Sequence, residues 1–114
     1  MTSYVLILKN EEERELEIGK LGKFLFKPGF YYYVGSAKKM SRIKRHFQKK
    51  GRKWHIDYIL DEFEIVGAIL FKIPECELAS KLKLEKIKGF GCSDCKCESH
   101  LFYSKILTIE NLFT

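Results

Sequence analysis

Four groups of residues carry side chains suited to chemistry. The first is Tyr33-Val34-Gly35-Ser36, followed by Arg42, Arg45 and His46. A glycine at a strand end lets a ligand or another chain segment approach the backbone closely. Arginine offers two parallel donors to phosphate oxygens, and histidine moves protons near neutrality. The same residues would also serve as strand core and solvated helix face. The second group is Pro74-Glu75-Cys76-Glu77-Leu78-Ala79. A carboxylate in a first helical turn is favoured by the helix dipole alone, or it can hold a hard cation such as Mg²⁺. The third is Cys92-x2-Cys95-x-Cys97-x2-His100. Three thiols and an imidazole form the ligand set of a structural Zn²⁺ site, or a cluster of buried thiols with a packed histidine. The fourth is Trp54-His55-Ile56-Asp57-Tyr58, where Asp57 suits a helix cap and Trp54 suits the core, so structure outweighs chemistry.

Charge points to a partner. The chain carries +6 overall, yet residues 18–56 hold twelve Lys/Arg and no Asp/Glu. The remaining nine basic and fifteen acidic residues balance to −6. The basic excess therefore belongs to one continuous segment, with Lys38, Lys39, Arg45, Lys49, Lys50, Arg52 and Lys53 near its centre. Such a segment attracts polyanions, and interleaved aromatics favour nucleic acid over a merely solvated surface. Gly35 and Ser36 would sit beside the bound backbone.

These groups need a scaffold. At 114 residues and 13.4 kDa the chain is expected to form a single domain over 1–114. A hydrophobic fraction of 46% excludes a disordered chain, and no apolar run is long enough to span a bilayer. The N-terminal residues meet acidic charge early, so a secretory signal is not expected. A cytoplasmic, reducing location follows, in which the cysteines favour metal or free thiol over disulfide. Tyr4 to Leu8 reads as a buried strand. Glu15 to Ile18 and Lys23 to Phe26 alternate like a hairpin, and Phe30 to Val34 is a further strand. Helical spacing begins at Ser41, with Ile43, His46 and Phe47. Trp54, Ile56, Tyr58, Ile59 and Phe63 suit a second short helix, and Ile65 to Ile73 a strand. Pro74 opens a helix whose apolar face is Leu78, Ala79 and Leu82. A Cys-rich loop spans 89–103, and Leu101 to Ile109 closes the chain, as a strand rather than a helix. The expectation is an α+β domain, a small, mostly antiparallel central sheet flanked by helices.

Tyr31-Tyr32-Tyr33-Val34-Gly35-Ser36-Ala37 resembles the second half of the GIY-YIG nuclease signature, and Thr2-Ser3-Tyr4 resembles the first half without its glycine and isoleucine. Arg42 to Phe47 resembles the helix that carries the superfamily's arginine and a His or Tyr one turn later. Trp54 to Tyr58, Glu75 to Ala79 and Gly89 to Tyr103 look more closely like the "domain of unknown function 123" group, which is related to those nucleases. The resemblance covers nearly the whole chain. It implies a GIY-YIG-like fold and a metal-dependent DNA endonuclease or nickase, with a role in repair. It implies Tyr4 and Tyr33 as signature tyrosines, Arg42 on the scissile phosphate and His46 as auxiliary residue. Glu75 would hold Mg²⁺ or Mn²⁺. Arg45 and Glu77 are the alternates for Arg42 and Glu75. Some members of the group are fused to endonuclease III-type repair glycosylases, which makes such a protein a candidate partner; a membrane is not. Two other readings fit the same residues: a nucleic-acid-binding module without catalysis, and a zinc-stabilised adaptor docked on a repair protein.

Overall fold

A computed structural model describes residues 3–36, 43–44, 55–90 and 99–109. Five antiparallel strands form the central sheet: β1 (Ser3–Asn10), β4 (Gly29–Ser36), β5 (Glu64–Phe71), β6 (Glu85–Lys86) and β7 (Leu101–Ser104). Their order is β5-β1-β4-β7-β6. β1 is an interior strand, paired on both edges, and is buried at seven of its eight positions. That is why its apolar residues run almost without interruption instead of alternating.

The remaining pair, β2 (Arg14–Glu17) and β3 (Lys23–Phe26), makes the expected hairpin as a separate two-stranded sheet. Its tight turn runs through a 3-10 helix at Gly19–Leu21 and through Gly22 at φ +91°, a backbone region costly for other residues. The Ile18 amide donates to the Gly22 carbonyl at 2.8 Å and closes the turn. The hairpin folds back over the sheet rather than joining it, burying Ile18 and Phe26. Asn10 anchors it at the end of β1. Its Nδ2 donates to the carbonyls of Phe26 and Lys27, and its Oδ1 accepts from Arg14 Nε at 2.9 Å. The long insertion between Tyr4 and Tyr33 therefore leaves β1 and β4 as direct neighbours.

The sheet is covered on both faces. On one face Tyr4, Leu6, Leu8, Tyr31, Tyr33, Leu101 and Tyr103 pack with Ile18, Phe26, Ile43, Ile56, Ile59, Leu60, Phe63 and Phe90. Ile43 and Lys44 are helical, and His55–Tyr58 form a 3-10 turn. On the other face Val5, Ile7, Tyr32, Val34 and Phe102 meet Leu78 and Ala79 of helix α1 (Glu75–Lys81) and Leu82, its C-cap residue.

The α+β class and the antiparallel sheet agree with the sequence, and so does the apolar face of α1. Among the described residues α1 is the one α-helix that flanks the sheet as a complete element. Pro74 is its N-cap residue, one position earlier than expected, with extended backbone at ψ 150°. Several elements differ from expectation. The second short helix is a 3-10 turn at His55–Tyr58 followed by a turn, and the strand expected over Ile65 to Ile73 ends at Phe71, before the bend that leads into Pro74. Residues 101–103 of the expected Cys-rich loop belong to β7, which ends at Ser104 instead of Ile109. There Ser104 Oγ donates to the Ile106 carbonyl, and the Thr108 amide donates to Tyr32 Oη at 2.7 Å, turning the chain back over the sheet. Strand β6, two charged residues long, has no signal in the sequence. Among the described residues, no helix is long and apolar enough to cross a membrane.

Candidate functional site

The central strand pair sets Tyr4 directly opposite Gly35. A Cβ built on Gly35 would lie 2.3 Å from both Cζ and Oη of Tyr4. No side chain fits there, so glycine is required by the tyrosine ring rather than by any turn. Tyr33 is two positions before Gly35 and shares the face. Its ring centroid is 6.5 Å from that of Tyr4, tilted by 54°. Tyr4 and Tyr33 are therefore brought together, although 28 residues separate them in the chain. Phe90 closes the cluster edge-on, 6.4 Å from Tyr33 and 5.6 Å from the His55 ring. Asp57, in the 3-10 turn beside it, is buried, in keeping with a structural role for that segment.

Ile43 is buried in the same cluster as Tyr4 and Tyr33. The basic segment thus returns to the tyrosine face. Arg42, Arg45 and His46 lie outside the described residues, as do Lys38, Lys39, Lys49, Lys50, Arg52 and Lys53. Ser36 ends β4 opposite Ser3, whose hydroxyl donates to the Ile73 carbonyl at 2.5 Å. In the sequence Ser3 stood out only as part of Thr2-Ser3-Tyr4, with no role of its own. This bond ties the start of β1 to the segment leading into α1.

Glu75 is the first residue of α1 and enters from the opposite layer. Its Oε2 lies 3.5 Å from Nδ1 of His100. The same ring nitrogen is 3.1 Å from the Val34 carbonyl oxygen. A carbonyl only accepts, so the ring carries its Nδ1 proton in that bond. The Val34 amide in turn donates to the His100 carbonyl at 2.8 Å. Val34 stands between Tyr33 and Gly35. The tyrosine pair and the Glu75–His100 contact therefore meet one stretch of β4 from its two faces. Sequence spacing gave Glu75 and His100 to two separate metal sites and carried no sign of their contact, which depends on the pairing of β7 with β4. Glu77 points elsewhere: it is exposed and 3.7 Å from Lys81, one turn along the helix.

Phe90 and His100 flank the Cys-rich stretch. The His100 amide donates to the Phe90 carbonyl at 2.8 Å, which ties these two flanking residues together. Cys92, Cys95 and Cys97 lie outside the described residues. Among the described residues no three His, Cys, Asp or Glu side chains group closely enough to hold a metal ion.

Burial raises the pKa of two tyrosines in β4. For Tyr31 desolvation is the main cause, and the neighbouring Tyr103 adds to it. For Tyr32 desolvation outweighs the opposing hydrogen bonds to Thr108. Both hydroxyls stay protonated well beyond neutrality and serve as structural ties. Tyr31 Oη donates to the Lys27 carbonyl at 2.8 Å.

The family model described as Domain of unknown function DUF123 matches residues 3–113. The chain belongs to the DUF123 family. Comparison with curated proteins finds no match, and neither does comparison with solved structures. The DUF123 match begins at Ser3, the first residue of β1, and runs past β7, so it takes in the tyrosine pair, Gly35, Glu75 and His100 alike.

Proposed function

We propose that this protein is a metal-dependent phosphodiesterase that nicks DNA, with a role in repair. The observation that carries the reading is the Tyr4–Gly35 strand pair with Tyr33 beside it, on the face to which the acid-free basic segment returns at Ile43. The basic segment would hold the polyanion, and Gly35 would keep the Tyr4 ring in its place beside it. Arg42 would contact the scissile phosphate through two donors. A hydroxyl of Tyr4 or Tyr33 would help take the proton from the attacking water. His46 would assist as the auxiliary residue.

Glu75 fits a hard cation. Its side chain is 36% exposed, with Oε2 turned toward His100. A free carboxylate oxygen with water and phosphate oxygens suits Mg²⁺ or Mn²⁺. Such an ion supplies charge neutralisation at the phosphate when bound. His100 would then orient Glu75 and is unsuited to a zinc site through the nitrogen it gives to Val34. Its other nitrogen would be the one offered to Zn²⁺ with Cys92, Cys95 and Cys97.

One observation favours a second reading. Helix α1 packs on the face opposite to Tyr4 and Tyr33, so Glu75 and the tyrosines approach β4 from different layers. A module that binds nucleic acid without cleaving it would need the basic face and the aromatics but not Glu75. It could act alone or attached to a repair protein such as an endonuclease III-type glycosylase.

A nicking assay separates the two. Labelled single-stranded, duplex, flap and branched DNA would be offered with Mg²⁺ or Mn²⁺ to wild type, Glu75→Ala and Arg42→Ala. The hydrolytic reading expects cleavage that needs the metal and drops about a hundredfold or more in each variant. Binding that weakens with salt, without cleavage on any substrate, supports the binding module instead.

A further inference from the structure

The turn of the β2–β3 hairpin is rigidly built, yet it carries a leucine that the core does not take up. It reads Gly19-Lys20-Leu21-Gly22. Both glycines hold positive φ, at +47° and +91°, where other residues are strained. The Leu21 amide donates to the Ile18 carbonyl at 2.9 Å, and the Ile18 amide donates to the Gly22 carbonyl at 2.8 Å. Ile18 is fully buried. Tyr58 packs so closely on Gly19 that a Cβ there would lie 3.1 Å from its hydroxyl. None of residues 19–21 is itself buried, and Leu21 is 37% exposed. Turn positions ordinarily take polar residues or glycine. Burial therefore accounts for Ile18 but not for Leu21.

Two observations say what this leucine meets. The hairpin reaches the tyrosine pair through a row of rings: Phe24 of β3 is 6.3 Å from Phe90, edge-on, and Phe90 meets Tyr33 in the same way. The turn also opens the acid-free basic segment, with Lys20 and Lys23 on either side of Leu21. The acids of the hairpin, Glu15 and Glu17, belong to β2. Glu15 is 3.9 Å from Lys23, an exposed pair of little strength.

We propose that Leu21 is a wedge that unstacks DNA at a branch point, with Lys20 and Lys23 on the flanking phosphates. An apolar side chain inserted between bases unstacks them, and basic neighbours hold the backbone while it does so. A wedge must not yield before the bases do. The two-glycine turn, seated on Ile18 and Tyr58, supplies that stiffness. Unstacking costs least where pairing already ends, so the substrate class is a fork or flap rather than an unbroken duplex. The proposal rests on the nucleic-acid reading of the tyrosine face, with or without cleavage.

Binding measured in EDTA tests the wedge without using activity. Fork and duplex DNA would carry a fluorescent adenine analogue at the branch point and at the matching duplex position. Wild type is expected to bind the fork roughly tenfold more tightly than the duplex, and to raise the emission of the analogue as its base unstacks. Leu21→Ala should lose both the preference and the rise, with duplex binding and the circular dichroism spectrum unchanged. Lys20→Ala should weaken binding to both DNAs alike. Leu25 is the more exposed leucine, at 61%, but it stands on β3 opposite Glu15, so Leu25→Ala should behave as wild type. A wild type that binds both DNAs equally overturns the wedge. So does a Leu21→Ala protein that keeps the preference, or a Leu25→Ala protein that loses it as fully. Failure to bind either DNA overturns the wedge together with the nucleic-acid reading, whereas a fork preference that depends on Leu21 upholds it even in a protein that does not nick.

Discussion

The two faces of the central sheet solve the same burial problem with different materials. One face is rich in aromatic rings, which supply seven of its fifteen buried residues. Tyr31 meets Phe63 at 5.2 Å, Tyr103 at 5.0 Å and Phe26 at 5.6 Å, and Tyr4 leans on Gly35. The other face is mainly aliphatic, with Leu78 and Ala79 of α1 and its C-cap residue Leu82 set on Val5, Ile7 and Val34. Aromatic rings are rigid, and their tyrosine hydroxyls need partners, which the carbonyls of Lys27 and Pro28 supply. Such a layer fixes positions closely and tolerates little change. An aliphatic layer contributes burial and adapts more easily. The candidate tyrosines lie in the exacting layer, and the candidate carboxylate rides on the adaptable one.

That contrast can be broken by substitution. Leu78→Ala removes a fully buried side chain from the aliphatic face, and it should cost about 2–5 kcal/mol of stability in urea unfolding. Below its melting temperature the variant should keep most DNA binding, since nothing on the tyrosine face moves. Gly35→Ala should cost less, about 1–3 kcal/mol, through overpacking against the Tyr4 ring. Its effect on the site should be the greater of the two. The ring must leave its place, so cleavage, or binding under the second reading, should fall further than in Leu78→Ala at matched folded fraction. Equal losses in the two variants would mean that the faces do not differ in this way.

Much of this scaffold was legible because local pattern and tertiary role agree. The buried run of β1, the alternation of the β2–β3 hairpin and the apolar spacing of α1 all follow from which faces are covered. What was not legible depends on contacts between distant segments. Nothing in Glu85-Lys86 signals a strand, because two exposed charges pair with β7 only once β7 is in place. The Glu75–His100 contact was hidden for the same reason: it needs β7 beside β4 and α1 across the sheet. Resemblance singled out Tyr4 and Gly35 separately, but their partnership, and with it the steric reason for the glycine, is visible only in the register. Nothing in the sequence marks the bulge at Val66, where β5 shifts register against β1 and turns Ile65 to one face while Ile69 and Phe71 reach the other.

The smallest expected effect compares two neighbours in β4 that point to opposite faces. Tyr31 is buried in the aromatic layer and Tyr32 in the aliphatic one, and burial raises the pKa of both. In the unfolded chain both titrate near about 10. The folded protein therefore holds these protons more tightly above that pH. The stability they contribute is fully present below about pH 10 and is lost as pH rises beyond it, by at most about 1.4 kcal/mol per pH unit for each group. Tyr31 carries the larger rise, since Tyr103 reinforces desolvation there, whereas hydrogen bonds to Thr108 offset it at Tyr32. Urea midpoints measured from neutral to strongly alkaline pH should fall most steeply for wild type, less for Tyr32→Phe and least for Tyr31→Phe. Tyr31→Phe should also start lower at neutral pH by about 1 kcal/mol, from the lost bond to the Lys27 carbonyl. An alkaline slope unchanged in Tyr31→Phe would show that the aromatic face is not what resists ionisation.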